Sequence, residues 1–396
     1  MTPLDHKKYF SHFLKGYQEK LHFAAHSHHF WPDVSREAHM QYWDDSARLG
    51  DEKWNYFFSH VIPDFQNHVA KMLQLKHSEQ ISFAPNTHEL ISRLLSHFIG
   101  ESHLKILTTS SEFHSWRRQL LRISELPQVE VTYVSTHQLL EKRRIFIDEL
   151  KHELSKKPSL FFISQVFFDS GIALTDDELL ELSLACHEST IMVVDGYHGF
   201  AALPTNLSQL EGRIFYVAGG YKYAQAGEGA GFMVVPKGKW RPAYTGWFAD
   251  FAKLSSSGNQ LVGYSDDAMA FMGATQDLSG LYRFNAVWDL FSNIDLTVNK
   301  IHLRIHDLQL AFLNQLPTSF YKKWELTPLF NRDLKWHGHF LTFEAPSEAK
   351  ASELELKIKN SGVIIDRRGA RLRFGFGLYH NLEEILKLIE CLRKLA

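Results

Sequence analysis

The sequence predicts an α/β fold: a large domain on a mainly parallel sheet of the seven-stranded type, covered by helices, and a small C-terminal α+β domain. Three observations predict it. From about residue 81 to 235, short apolar runs alternate with segments of helical period. Such alternation means a parallel sheet with both faces covered. A helix-period stretch over 276–316 then leads into a shorter set of strand and helix patterns. At 396 residues, 44% hydrophobic and 22% charged, the chain is long enough for a large core and two domains. The expected divisions are an N-terminal arm and helix at 1–50, a large domain at 51–277, and a linking helix with the small domain at 278–396.

Taken in order, residues 1–32 mix aromatics with histidines and read as an arm over the body. Residues 33–50 read as a helix that Gly50 stops, and 59–75 as another. Ile81-Ser82-Phe83 is a short strand, ended by Pro85-Asn86-Thr87; Leu90, Ile91, Leu94, Leu95 and Phe98 then follow helical spacing. Asn86 and Thr87 thus fall at a helix N-terminus, where free N–H groups can cradle a phosphate. Plain N-capping by either residue is the other reading. Strands at 105–109, 129–134 and 160–164 alternate with helices at 113–123 and 146–154. Thr175-Asp176-Asp177-Glu178 is a capping box that opens a helix to 187. The stretch 238–273, which holds Ser255-Ser256-Ser257-Gly258-Asn259, reads as a loop over the site. In the small domain the pattern gives a strand at 340–343, a helix at 347–360, paired strands at 363–365 and 372–376, and a last helix from 382.

The chemistry concentrates between 191 and 236. Ile191-Met192-Val193-Val194 is a buried-strand pattern that stops at Asp195. A second apolar run, 214–218, breaks at Gly219-Gly220 and is followed by Tyr221-Lys222-Tyr223. A carboxylate and a lysine therefore leave buried strands at their carboxyl ends, where open α/β sheets bind ligands. Asn86, Phe113 and Ser170 also fall just after predicted strands. A lysine amine can form a Schiff base with pyridoxal 5′-phosphate, and a carboxylate keeps the pyridine nitrogen protonated. The same residues also read as a turn cap at Asp195 and a solvated loop lysine at 222.

Composition narrows the classes. A formal net charge of −2 implies no polyanion-binding field. Two cysteines, Cys186 and Cys391, make no disulfide framework and suit a reducing compartment. No apolar run approaches membrane-spanning length, and the first residues lack a signal-peptide core, so a cytoplasmic protein is expected. The 23 histidines include no HExxH or Cys/His metal spacing, so no metal is expected.

A series of motifs runs in order along most of the chain: Pro85-Asn86-Thr87-His88-Glu89-Leu90, Phe113-His114-Ser115-Trp116, Asp169-Ser170-Gly171-Ile172, Asp195-Gly196-Tyr197-His198, Tyr221-Lys222-Tyr223 with Gly227 and Gly229, Gly246-Trp247-Phe248, Gly273-Ala274-Thr275 and Arg373-Phe374 with Leu378-Tyr379. In these the protein resembles the fold-type-I pyridoxal phosphate enzymes of the class V aminotransferase superfamily, and within it kynureninase. The resemblance implies that Lys222 holds the cofactor as an aldimine and shuttles protons at the substrate α-carbon. It implies Asp195 at the pyridine nitrogen, Phe113 stacked on the ring, and Ser170 and His198 as further cofactor contacts. Asn86, Thr87 and Tyr221 would hold the phosphate, with Trp247 and Thr275 reaching in from a second subunit of a homodimer. Arg373 would clamp the substrate carboxylate, and Arg371, on the same strand face, is its fallback. Blander readings stand beside these: a core Phe113, a packing Trp247, a surface Arg373.

The resemblance weakens toward the substrate. Only Ser27 and Pro32 are kept in the N-terminal segment Ala25-His26-Ser27-His28-His29-Phe30-Trp31-Pro32. Asp250 stands where kynureninases carry a histidine after Gly-Trp. Neither cysteine suits the mobile loop cysteine of cysteine desulfurases, which are similar in fold. The leading expectation is a kynureninase-like hydrolase that cleaves a carbon–carbon bond in the substrate's side chain. A class V aminotransferase is the alternative and an inactive binding protein the outsider.

Overall fold

The computed structural model of the protein describes residues 6–18, 20–253 and 262–396. Thirteen strands lie among them: β1 Leu21–His22, β2 Ile81–Ala84, β3 Leu104–Thr109, β4 Val129–Val134, β5 Leu160–Ser164, β6 Ile191–Asp195, β7 Ile214–Gly219, β8 Gly231–Val234, β9 Thr327–Pro328, β10 Phe340–Glu344, β11 Val363–Ile364, β12 Asp366–Arg368 and β13 Arg371–Gly375.

The central sheet has seven strands in the order β2-β8-β7-β6-β5-β3-β4. All neighbouring pairs are parallel except those of β8, which runs against both β2 and β7. Every residue of β5 and of β7 is buried. Their continuous apolar runs follow from burial on both faces. Period-two alternation sorts the side chains into two layers. Phe161, Ile163, Met192 and Val194 join one core, while Leu160, Phe162 and Val193 join the other. The carboxyl ends of β3, β5, β6 and β7 come out along one edge of this sandwich, and the site lies there.

The small C-terminal domain is built on an antiparallel sheet in the order β12-β13-β10-β9. Its strands differ from the sequence expectation. The runs at 363–365 and 372–376 do not pair with each other. β13 takes β12 instead, and β11 takes β1 of the N-terminal arm in parallel. The arm is therefore stitched into this domain rather than laid over the body. Phe10, Phe23 and Phe30 are buried there, and Phe30 stacks on Tyr379 at 4.3 Å and on His22 at 4.5 Å.

Three further expectations are corrected. The single helix over 276–316 is two, Ser279–Asn293 and Val298–Gln315. Asp295 turns left-handed at φ 53°, and the Thr297 hydroxyl oxygen caps the second helix by accepting from the Lys300 N–H at 3.3 Å. The helix at 59–75 starts earlier, at Lys53, and passes through a π turn at Phe57–Val61 before Ile62–Leu73. Pro63 cannot donate to the preceding turn and its ring crowds it, so the wider turn relieves the conflict. Of the segment 238–273, expected over the site, the described residues 238–253 and 262–273 do not line the cavity. Trp240 packs on Phe215 at 4.8 Å and on Phe271 at 6.0 Å, against the sheet's outer layer. Its Ser255–Asn259 portion lies outside the described residues.

The aromatic seam between arm and small sheet has a measurable consequence. Phe30→Ala should cost about 3–5 kcal/mol of stability by urea denaturation, the usual cost of emptying a buried aromatic site. A loss below about 1 kcal/mol would show that the arm is not part of the cooperative core.

Candidate active site

Asn86, Thr87, Phe113, Asp195, His198, Tyr221 and Lys222 line one cavity of about 300 Å³ at the carboxyl edge of the central sheet. β7 ends at Gly219, and the turn that follows delivers Lys222 into it, with the side chain buried. Lys222 Nζ lies 2.6 Å from His198 Nε2. It also stands 5.5 Å from the centre of the Phe113 ring and 5.4 Å from that of Tyr197. Burial pushes the Lys222 ammonium down to about 7, the Arg373 charge adds to the effect, and Asp195 opposes it. His198 is held well below the usual imidazole range by burial and by the Lys222 charge. The imidazole is therefore neutral and shares a hydrogen bond with the lysine through Nε2, and its buried Nδ1 has no hydrogen-bond partner.

Asp195, the last residue of β6, is half-buried and lines the cavity. Its Oδ1 accepts from the Tyr197 N–H at 2.9 Å. Burial raises its pKa, so the carboxylate stands to gain from a cation brought alongside. A second buried acid sits one strand away. Glu112 accepts from Thr109 Oγ1 at 2.6 Å and from the Ser164 N–H at 3.3 Å, and Ser164 faces Asp195 across the β5–β6 ladder. Burial pushes the Glu112 carboxyl up to about 8, with Asp195 adding to the rise. Sequence reasoning passed over Glu112. The only signal was an acid among serines and threonines, directly before Phe113.

Asn86 caps the Thr87–Ser96 helix, its Oδ1 accepting from the Glu89 N–H at 3.1 Å. Capping and a phosphate cradle are compatible here, because the backbone N–H groups of Thr87 and His88 remain outside the helical ladder. Gly231 lets this turn lie flat on β8: a Cβ there would come within 2.6 Å of the Asn86 carbonyl carbon. Tyr221 Oη and His28 Nδ1 are 2.8 Å apart.

Other expected residues stand elsewhere. Ser170 lies in a turn, its Oγ accepting from the Ile172 N–H at 3.2 Å; Val166 and Phe168 of the same loop line the cavity instead. Ser27 is half-buried in the arm, its N–H bonded to the Ala24 carbonyl at 2.9 Å. Trp247 and Thr275 are exposed, Asp250 is half-buried, and none of the three lines the cavity. The close approach of Gly246 to Gly273 sets Trp247 and Thr275 on neighbouring segments. Arg373 is buried beside the cavity, with Asp366 on its fork. Arg371 pairs with Asp169 at 2.9 Å and with Glu344 at 3.0 Å.

Residues 32–327 match the aminotransferase class-V family, and the protein belongs to it. Pyridoxal phosphate is the cofactor of this class. Solved structures share the fold over nearly the whole length. C-DES, in a mutant with glycine linked to its PLP cofactor, superposes with a TM-score of 0.81 at 16% identity, over 96% of this protein and 98% of that one. An apo cysteine desulfurase from Thermococcus onnurineus NA1 gives 0.79 at 18% identity, over 99% and 98%. The Escherichia coli cysteine desulfurase CsdA gives 0.78 at 14% identity, over 100% and 98%. A search of curated proteins found no match.

The cavity residues fit the cofactor. A depressed lysine suits an aldehyde, an under-satisfied carboxylate on the wall suits a ring cation, and an open helix N-terminus suits a phosphate. Because an amine attacks only as its free base, apo-protein should take up pyridoxal phosphate faster as pH rises through about 7 and level off above it. Stopped-flow absorbance would measure this. A rate still climbing toward about pH 10 would mean that Lys222 keeps an ordinary lysine pKa.

Proposed function

We propose that the protein is a pyridoxal phosphate enzyme that hydrolyses a carbon–carbon bond in the side chain of an amino acid, in the manner of kynureninase. The observation that carries this reading is a second acid–base pair beside the lysine: Tyr221, on the cavity wall, and His28, 2.8 Å from its hydroxyl. Moving a proton at an α-carbon needs only Lys222. Hydrolysis further along the side chain needs another group to give and take protons at the carbonyl and its attacking water. Burial raises the Tyr221 pKa, so the phenol stays protonated at neutral pH and has a proton to give at the site.

The cofactor, when bound, supplies an electron sink for negative charge at the α-carbon. Lys222 would hold its aldehyde carbon and then carry the α-proton. Asp195 would hold the ring nitrogen's proton, Phe113 would cover the ring, and Asn86 and Thr87 would take the phosphate. The apolar side chains of Ile91, Phe113, Trp116 and Phe168 on the wall lower the local dielectric, which strengthens each charge contact.

Transamination is the second reading, favoured by the family match itself and served by the same cofactor residues. A cysteine-nucleophile desulfurase is disfavoured: neither Cys186 nor Cys391 lines the cavity, and burial pushes the Cys186 thiol up to about 12. Borohydride should fix the cofactor to Lys222, as read by mass spectrometry. Tyr221→Phe should lower hydrolytic turnover about a hundredfold, the lower end of an acid–base contribution, while single-turnover conversion of an amino donor persists. Equal loss of both activities would favour transamination.

We also infer a homodimer with shared sites. Trp247 and Thr275 belong to neighbouring exposed segments and do not reach their own cavity, as residues lent across an isologous interface would. Light scattering at micromolar concentration should give twice the monomer mass, and Thr275→Ala should weaken cofactor binding. A fully active monomer would overturn this.

A further inference from the structure

Arg373 is 1% exposed, at the seam between the small sheet and Phe168 of the large domain. Asp366 is its register partner across the β12–β13 ladder. Arg373 Nε donates to Asp366 Oδ2 at 2.7 Å, and Nη2 donates to the same oxygen. Nη1 donates to the Phe168 carbonyl at 2.8 Å, and the guanidinium carbon lies 4.3 Å from the centre of the Phe168 ring. The forked edge that suits a substrate carboxylate is already filled by a carboxylate of the protein itself.

Two neighbours give that carboxylate somewhere to go. His26 is fully buried, its Nδ1 has no hydrogen-bond partner, and its Nε2 stands 3.6 Å from Asp366 Oδ2, a contact too long for a closed hydrogen bond. On the other side, Nη2 of the exposed Arg368 lies 3.2 Å from Asp366 Oδ1. A small rotation of the Asp366 side chain would trade Arg373 for a closed hydrogen bond to His26 and a tighter contact with Arg368. A buried polar nitrogen left unbonded is costly, so His26 favours that second arrangement. A buried guanidinium left unpaired is costlier still, so the exchange can occur only when another carboxylate arrives.

We propose that Asp366 is a positioning residue that holds Arg373 as an internal stand-in for the substrate α-carboxylate, and that an amino acid binds by displacing it onto His26 and Arg368. This rests on the reading of Lys222 as the cofactor lysine. It makes a free carboxylate the entry requirement. An amine without one leaves the Asp366–Arg373 pair closed and gains nothing from it.

The test titrates holoprotein and follows the visible absorbance of the cofactor, using alanine against ethylamine and phenylalanine against phenethylamine. Asp366→Asn keeps the shape but removes the competing charge. The amino acids should then bind about tenfold more tightly, the scale of one charge-assisted hydrogen bond, with the amines unchanged. Amino acids that bind unchanged or more weakly relative to their amines would overturn the proposal. His26→Phe keeps the ring that stacks on Phe340 at 4.7 Å and removes the waiting nitrogen. It should weaken the amino acids about threefold relative to the amines, the scale of a weak net hydrogen bond, and an equal effect on both would count against the exchange. This second variant decides alone if Asp366→Asn fails to fold. A wild-type protein with no cofactor band overturns the functional reading as well, whereas a normal band with unchanged ratios overturns only the role of Asp366.

Discussion

A lysine amine buried in the cavity wall is the constraint on which the rest depends. Taking Lys222 out of water favours its neutral form, and only the neutral form is a nucleophile. Everything around it keeps that balance. A neutral His198 bonds the amine without competing for its charge, Arg373 pushes the proton away, and Asp195 pulls partly the other way. The central sheet makes the arrangement possible. Parallel strands buried on both faces release their last residues at one edge, so Ser164, Asp195 and Lys222 meet although they are far apart in sequence.

The small domain contributes charge of a different kind. Its strand arginines are all matched: Arg367 with Glu355, Arg368 and Arg373 with Asp366, and Arg371 with Asp169 and Glu344. Among the described residues, the cavity walls carry Lys222 but no arginine. The arginines next to the cavity are therefore already paired within the protein. The N-terminal arm supports this region. It pairs β1 with β11 and brings His26 under Phe340, within reach of Asp366.

Much of this was legible. Strand ends at Asp195 and before Lys222, the Asn86 cap and the Thr175–Glu178 capping box all appear as local patterns, and each forms where its pattern stands. Such features depend on neighbours in sequence. What was misread depended on neighbours in space. The break at Asp295 is the exception: its left-handed turn and the Thr297 cap are local, and the helical period on either side hid them. The pairing of β12 rather than β11 with β13 turns on the arm supplying β11 with another partner.

The sequence by itself determined the layered α/β architecture and the cofactor class, because apolar period and a few short motifs are written locally. Tertiary structure alone decided the register that sets Asp366 on Arg373, the burial that turns Glu112 into a high-pKa acid, and the placement of Trp247 and Thr275 outside the cavity. Each of these follows from which distant segments share one dielectric and one hydrogen-bond ladder, and no residue carries that information alone.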